Sequence, residues 1–174
     1  MRMVEHLDKM RDAGIDSIKI EGRAKTDYYV AVTANAYRGA LDSLKNSDGV
    51  WSAPEWTVKE LDKISHRTYS TGFYFGRPQN AQTYQNAGYI RDYAVAAVVS
   101  GYIDGCVTAT VKNKFLKGQV LDCLETGNAP FEITADTLLD EKGNVLTMAN
   151  KPMMTVKIPY DREIKVGSML RMKV

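Results

Sequence analysis

Three short stretches carry residue types that can do chemistry. The first is SIKIEGRAK, residues 17–25. It sets Glu21 among Lys19, Arg23 and Lys25. A carboxylate among bases can orient a substrate or move a proton, while the cations clamp an anionic group. The same charges can also make no more than an ion pair in a polar loop, since a charge near a core must be paired or solvated. The second stretch is ISHRTYSTGFYFG, residues 64–76. His66 is a candidate general base and Arg67 a candidate substrate ligand, although no nucleophile can be placed beside the imidazole. The aromatics that follow, Tyr69, Phe73, Tyr74 and Phe75, can stack on bases or anchor a linker to a domain. The third stretch is KNKFLKG, residues 112–118, whose Lys112, Lys114 and Lys117 could meet phosphates. Arg162, Lys165, Arg171 and Lys173 add positive charge further on, offset by Asp122, Glu125, Asp136, Asp140 and Glu141.

The elements that must position these residues fall into two patterns. Met3, Leu7 and Met10 recur at helical spacing, so residues 3–13 are expected to be helical, with Gly14 as a left-handed stop. Residues 15–22 read as a short strand, Ile18 and Ile20 on one face and Ser17, Lys19 and Glu21 on the other. Residues 26–45 read as the strongest helix, with Val30, Ala34, Tyr37, Leu41 and Leu44 as its apolar stripe and Thr26 or Asp27 at its start. Helix, strand, helix is a remnant of an α/β, TIM-like barrel. In such a barrel Lys19 and Glu21 would point inward near the C-terminal mouth, where active sites sit. One strand needs neighbours that this stretch does not contain. An unpaired strand also invites self-association.

Residues 47–84 read as a linker with a short helix after Pro54 and an aromatic loop. From 85 to 174 the pattern is β, with six strand candidates separated by turn signals such as DG, TGNAP and EKGN. The expected fold class is therefore α+β: the barrel remnant over residues 1–46, the linker, then a small antiparallel β-barrel as an accessory domain.

Composition excludes several classes. The net charge of +2 announces no polybasic tail. No apolar run is long enough to span a membrane, and MRMVEHLDKMRDAG is an amphipathic pattern rather than a signal peptide. Two cysteines and two histidines are too few for a cysteine-rich metal site. Cys106 and Cys123 are expected to be buried free thiols, and no metal ligands or cofactor are expected in this chain. The expected location is cytoplasmic.

The blocks AGIDSIKIEGRAKTDYYVAVTANAYRGALD (13–42) and ISHRTYSTGFYFG (64–76) resemble the collagenase-like peptidase family U32, of unknown catalytic type. The resemblance runs over nearly the whole chain. It implies an α/β barrel whose last strand carries Glu21, Gly22 and Arg23, continuing through His66 and Arg67 to a small barrel like the accessory barrels of translation factors. It implies one of two activities: collagen-degrading peptidase, or hydroxylation of uridine in tRNA or cytidine in rRNA with an iron–sulfur cluster in the parent protein. The partner is then a protein or peptide substrate, or structured RNA. The family's cysteine-rich segment is absent here. The chain is accordingly expected to be the C-terminal part of a bacterial collagenase-like peptidase, its small barrel a substrate- or partner-binding accessory domain, and inactive by itself; the alternative is the C-terminal part of an RNA-modifying enzyme whose barrel binds RNA.

Overall fold

The computed structural model describes residues 1–77 and 89–174. The chain divides into two compact units, Met1–Asp92 and Tyr93–Val174. The boundary expected near residue 84, and the end of the aromatic loop, fall outside the described residues.

The first unit is helical. A 3-10 turn over Val4–His6 runs into α1 (Leu7–Asp12), followed by α2 (Asp27–Lys45) and α3 (Glu55–Asp62). At the end of α1, Gly14 takes a φ of 76° and its N–H donates to the Arg11 carbonyl (2.9 Å). The Thr26 hydroxyl caps α2 by accepting from the Tyr29 N–H at 3.2 Å, which satisfies one of the donors a helix start leaves open. Asp27 lies in the first turn, where the helix dipole favours a negative charge.

The buried face of α2 differs in part from the expected stripe. Leu44 is buried as expected, but Val32, Ala36 and Ala40 are buried too, whereas Val30 and Ala34 are exposed. The reason is close packing against α3. A Cβ on Gly39 would lie 2.3 Å from the Trp56 ring, so the face with the smallest residues is the one that α3 covers.

Residues 15–22 form no strand. A strand is stabilised by a neighbour's backbone hydrogen bonds, and among the described residues the first unit contains no ladder for this segment to join. Ile15 and Ile20 are open to solvent, at 41 % and 39 % exposure, while Ile18 is partly covered.

The second unit is an antiparallel sheet. Its strands are β1 (Tyr93–Ile103), β2 (Cys106–Val111), β3 (Phe115–Leu116), β4 (Val120–Leu124), β5 (Phe131–Thr134), β6 (Met148–Ala149), β7 (Thr155–Pro159) and β8 (Met169–Lys173). Six of them pair in the order β5-β4-β8-β1-β2-β7, while β3 and β6 make a separate two-stranded sheet. The DG signal closes the β1–β2 hairpin. Asp104 and Gly105 take φ values of 52° and 72°, both positive as a two-residue turn of this hand requires. Register shifts between Val95 and Ala97 and between Val99 and Gly101 bend β1, since a bulge increases local twist.

The sheet curls on itself. The chain running on from β5 reaches the opposite edge, where Leu139 and Lys157 of β7 exchange two backbone hydrogen bonds of 2.9 Å. Inside lies one apolar core, including Val107, Phe115, Leu121, Ile133, Ile158 and Leu170. The protein is thus a mixed helix-and-sheet chain with a curled antiparallel sheet. The stretch 131–141, expected as one strand, is a strand only to Thr134.

Candidate functional site

The predicted site residues of the first unit separate into two groups. Lys19 and Glu21 form an exposed ion pair at 3.8 Å. Glu21 also accepts the backbone N–H of Arg23 at 3.1 Å, and the Lys25 N–H donates to the Gly22 carbonyl at 3.0 Å. These contacts build a local polar turn. An exposed pair of this sort contributes little stability.

His66 lies in a different setting. Its Nδ1 is 2.8 Å from the Arg67 carbonyl oxygen. Only a protonated nitrogen can donate to that oxygen, so a neutral ring carries its proton on Nδ1 and leaves Nε2 as the basic atom. The imidazole stacks on Tyr69, with centroids 4.3 Å apart and planes 12° apart. Tyr69 in turn donates its hydroxyl proton to the Leu61 carbonyl at 2.6 Å. Burial raises the Tyr69 phenol well above its ordinary value, which keeps it a neutral donor. Tyr69 therefore anchors the loop, while Phe73, Tyr74 and Phe75 stay exposed. Among the described residues no hydrogen bond or ion pair joins His66 to Glu21, so the two proposed catalytic groups do not act on each other.

Lys25 and Arg67 do come together, around a residue that sequence reasoning passed over. His66 and Ile90 exchange backbone hydrogen bonds of 3.3 and 2.8 Å. That bridge sets Tyr89 and Arg91 beside Arg67. The Arg67 guanidinium carbon is 5.0 Å from the centre of the Tyr89 ring, the Lys25 Nζ is 5.4 Å away, and Arg91 is 5.9 Å away. Lys25 also lies 5.3 Å from the Tyr29 ring. Arg91 donates from Nε to the Ser65 hydroxyl at 3.2 Å.

Among the described residues no carboxylate is within ion-pair distance of Lys25, Arg67 or Arg91. Three cations share one partly exposed ring. Each such contact at an exposed site is worth about 0.5–1 kcal/mol, and the like charges oppose one another. The arrangement favours an incoming anion, with the Tyr89 face available for stacking. The signal for it in the sequence was GYIRDY, residues 88–93, where a base again stands beside aromatics.

In the second unit, Lys112, Lys114 and Lys117 are exposed. Arg171 is wholly buried and pairs with Asp122 at 2.9 Å, so it adds no charge to the surface. Arg162 lies 4.0 Å over the Phe131 ring and 3.9 Å from the buried Glu125. Both cysteines are free thiols, Cys123 buried and Cys106 partly so. Burial pushes the Cys123 thiol up to about 12, which makes it unreactive. The two cysteines stand on β2 and β4, and among the described residues no three metal-ligating side chains gather. The residues present do not fit an iron–sulfur cluster.

The model of peptidase family U32 matches residues 1–84, and that of the family's C-terminal domain matches 91–171. The chain belongs to peptidase family U32. It is 32 % identical over 175 residues to tRNA hydroxylation protein P1 of Bacillus subtilis, covering 98 % of this chain and 41 % of that protein. It is 29 % identical over 77 residues to a collagenase of Porphyromonas gingivalis, covering 44 % of this chain and 19 % of that one. A crystal structure of the C-terminal domain of a Geobacillus thermoleovorans protein assigned to the same family is similar with a TM-score of 0.43 and 27 % identity, over 45 % of this chain and 99 % of that domain. The chain spans about two fifths of the length of the first curated relatives it matches. No described helix is long and apolar enough to cross a membrane.

Proposed function

We propose that this chain is the RNA-contacting part of an RNA-modifying protein, and that Lys25, Arg67, Arg91 and Tyr89 grip a nucleotide. The observation that carries this reading is the convergence of three cations, without a carboxylate partner among the described residues, on one accessible ring. Cations that track a backbone beside an aromatic platform are the usual means of holding single-stranded RNA. The relative named for tRNA hydroxylation, matched over nearly the whole chain, supports it. Work on tRNA would place the protein in the cytoplasm.

The test is tRNA binding by the purified chain. Lys25→Ala, Arg67→Ala and Arg91→Ala together should flatten the salt dependence, because each phosphate contact releases a counterion. Tyr89→Ala should weaken binding by about 1–3 kcal/mol, the worth of one stacked base. Unchanged affinity in both variants would overturn the reading.

A second reading makes the parent protein a collagenase-like peptidase and this chain its substrate-binding part. The likeness to a collagenase supports it. Gelatin hydrolysis by the full-length protein, lost on Glu21→Ala, is the result it requires. Under either reading the chain alone should turn over neither substrate.

Residues 1–46 are proposed as a helix–strand–helix of an α/β barrel wall, with residues 15–22 taking the strand's place when neighbours pair with them. The exposure of Ile15 and Ile20 supports this. Without such neighbours the same segment is open to pairing with a second copy of itself.

A further inference from the structure

The loops at one end of the curled sheet gather positive charge that the reading above does not use. Residues 112–118 and 147–154 are tied together by the β3–β6 ladder, where Phe115 pairs with Ala149 and Leu116 with Met148. The Lys117 N–H donates to the Thr147 carbonyl at 3.0 Å, and the Met153 N–H to the Val111 carbonyl at 2.9 Å. The two stretches, KNKFLKG and TMANKPMM, hold four lysines and no acid. Lys112, Lys114, Lys117 and Lys151 are all exposed.

The geometry of the second loop is unusual. Met153 has a φ of 66° although it is not glycine. A bulky residue in that region is strained, and such strain persists only where the surroundings impose it. Its side chain is 66 % exposed, and its sulfur lies 3.4 Å from the Lys112 Nζ. The backbone bond from Met153 to Val111 ties the Lys151 loop to the Lys112 loop, and the Met153 sulfur rests beside the Lys112 ammonium.

We propose that these two loops form a phosphate-binding surface for RNA, built from Lys112, Lys114, Lys117 and Lys151. The chemistry favours RNA over a protein partner. Protein interfaces are enriched in aromatics and Arg and depleted in Lys, and their binding energy concentrates in Trp, Tyr and Arg. These loops expose four lysines flanked by Asn113 and Asn150, and their one aromatic, Phe115, is buried. Lysine is a point charge suited to phosphate oxygens, and amide side chains are common sugar–phosphate ligands. The surface rests on the reading that the chain meets RNA, but it lies on the second unit and uses different residues.

The experiment is binding of labelled tRNA by the whole chain, measured across salt concentrations. Three proteins are compared with the parent: all four lysines changed to Ala, all four changed to Arg, and the Lys25/Arg67/Arg91 triple Ala variant. The four side chains are exposed, so a thermal melt like the parent's is expected of each. The four-Ala variant should bind at least about tenfold more weakly at low salt. Its log–log salt slope should be shallower by about 3, since each lost phosphate contact removes roughly 0.7–0.9. The four-Arg variant should keep the parent's slope. A four-Ala variant with the parent's slope, alongside a weakened triple variant, overturns this surface and leaves the Tyr89 reading standing. The reverse pattern overturns the Tyr89 reading alone. Absence of binding by the parent overturns both, and binding of poly-glutamate in place of tRNA through the four lysines overturns the choice of RNA.

Discussion

At the scale of single residues, charge in this protein is divided between groups held for structure and groups left free. Arg171 and Asp122 stand directly opposite each other on β8 and β4. The guanidinium is wholly buried and the carboxylate nearly so, at 0 % and 15 % side-chain exposure. Removing one partner of such a pair leaves a buried charge behind, at a cost of about 3–5 kcal/mol. Asp122→Ala should therefore lower the unfolding free energy by about that amount. The Asp122→Leu, Arg171→Met double variant should lose much less, because no charge is left behind. Denaturant titrations of the two variants decide it, and equal losses would refute the assignment. Glu125 is a second structural carboxylate. Burial alone would raise its pKa, but the Lys165 N–H, the Asn128 amide and the Arg162 charge outweigh that and hold it below the ordinary value of 4.5. A carboxyl lowered by folding stabilises the native state fully above the unfolded value, and that contribution disappears as pH falls through the folded value. The parent should thus lose stability from about pH 4.5 downward. Glu125→Gln should be less stable at neutral pH, with the gap closing in acid. Melts from pH 7 to pH 3 would show it, and a gap that widens in acid would contradict the sign.

At the scale of elements, the close approach of α2 and α3 depends on one missing methyl group. Ala at position 39 would set its Cβ 2.3 and 2.5 Å from two Trp56 ring carbons. Overfilling a packed interface costs about 1–3 kcal/mol. Gly39→Ala should lower stability by that order and shift the tryptophan fluorescence, and adding Trp56→Leu should restore most of the loss. A melting temperature unchanged by Gly39→Ala would show that the helices can move apart freely. The same contact explains why the buried face of α2 departs from the apolar stripe at Val30 and Ala34. Large apolar residues mark a stripe in the sequence, but here Gly39, Ala36 and Ala40 let the neighbouring helix come near. The β region was easier to read, because alternation and the Asp104–Gly105 turn are local signals. The pairs β3–β6 and Leu139–Lys157 were invisible, since two-residue ladders and single bridges leave no periodicity. The site was legible to the same degree. Lys25 and Arg67 stood out by type. Tyr89 and Arg91 did not, because only the bridge from His66 to Ile90 brings them there.

At the scale of the whole molecule, a net charge of +2 cannot drive strong general attraction to a polyanion, so the proposed RNA binding rests on local clusters, those around Tyr89 and Lys112. Residues 15–22 pose the other question of that scale. Their backbone joins no ladder among the described residues, and Ile15 and Ile20 face solvent. Unpaired edges of this kind favour pairing with another chain. Two copies laid antiparallel about Ile20 would set Lys19 of each opposite Glu21 of the other and the two Ile20 side chains together. Opposite charges and apolar pairs across strands each contribute about 0.2–1 kcal/mol, so the association should be weak and dependent on concentration. Sedimentation over a hundredfold range of concentration should show monomer giving way to dimer. Ile20→Lys would put two ammonium groups face to face and should hold the chain monomeric throughout. If the parent chain also stays monomeric at the highest concentration, self-pairing is excluded and the segment is left to neighbours of another kind, as the barrel-wall reading requires.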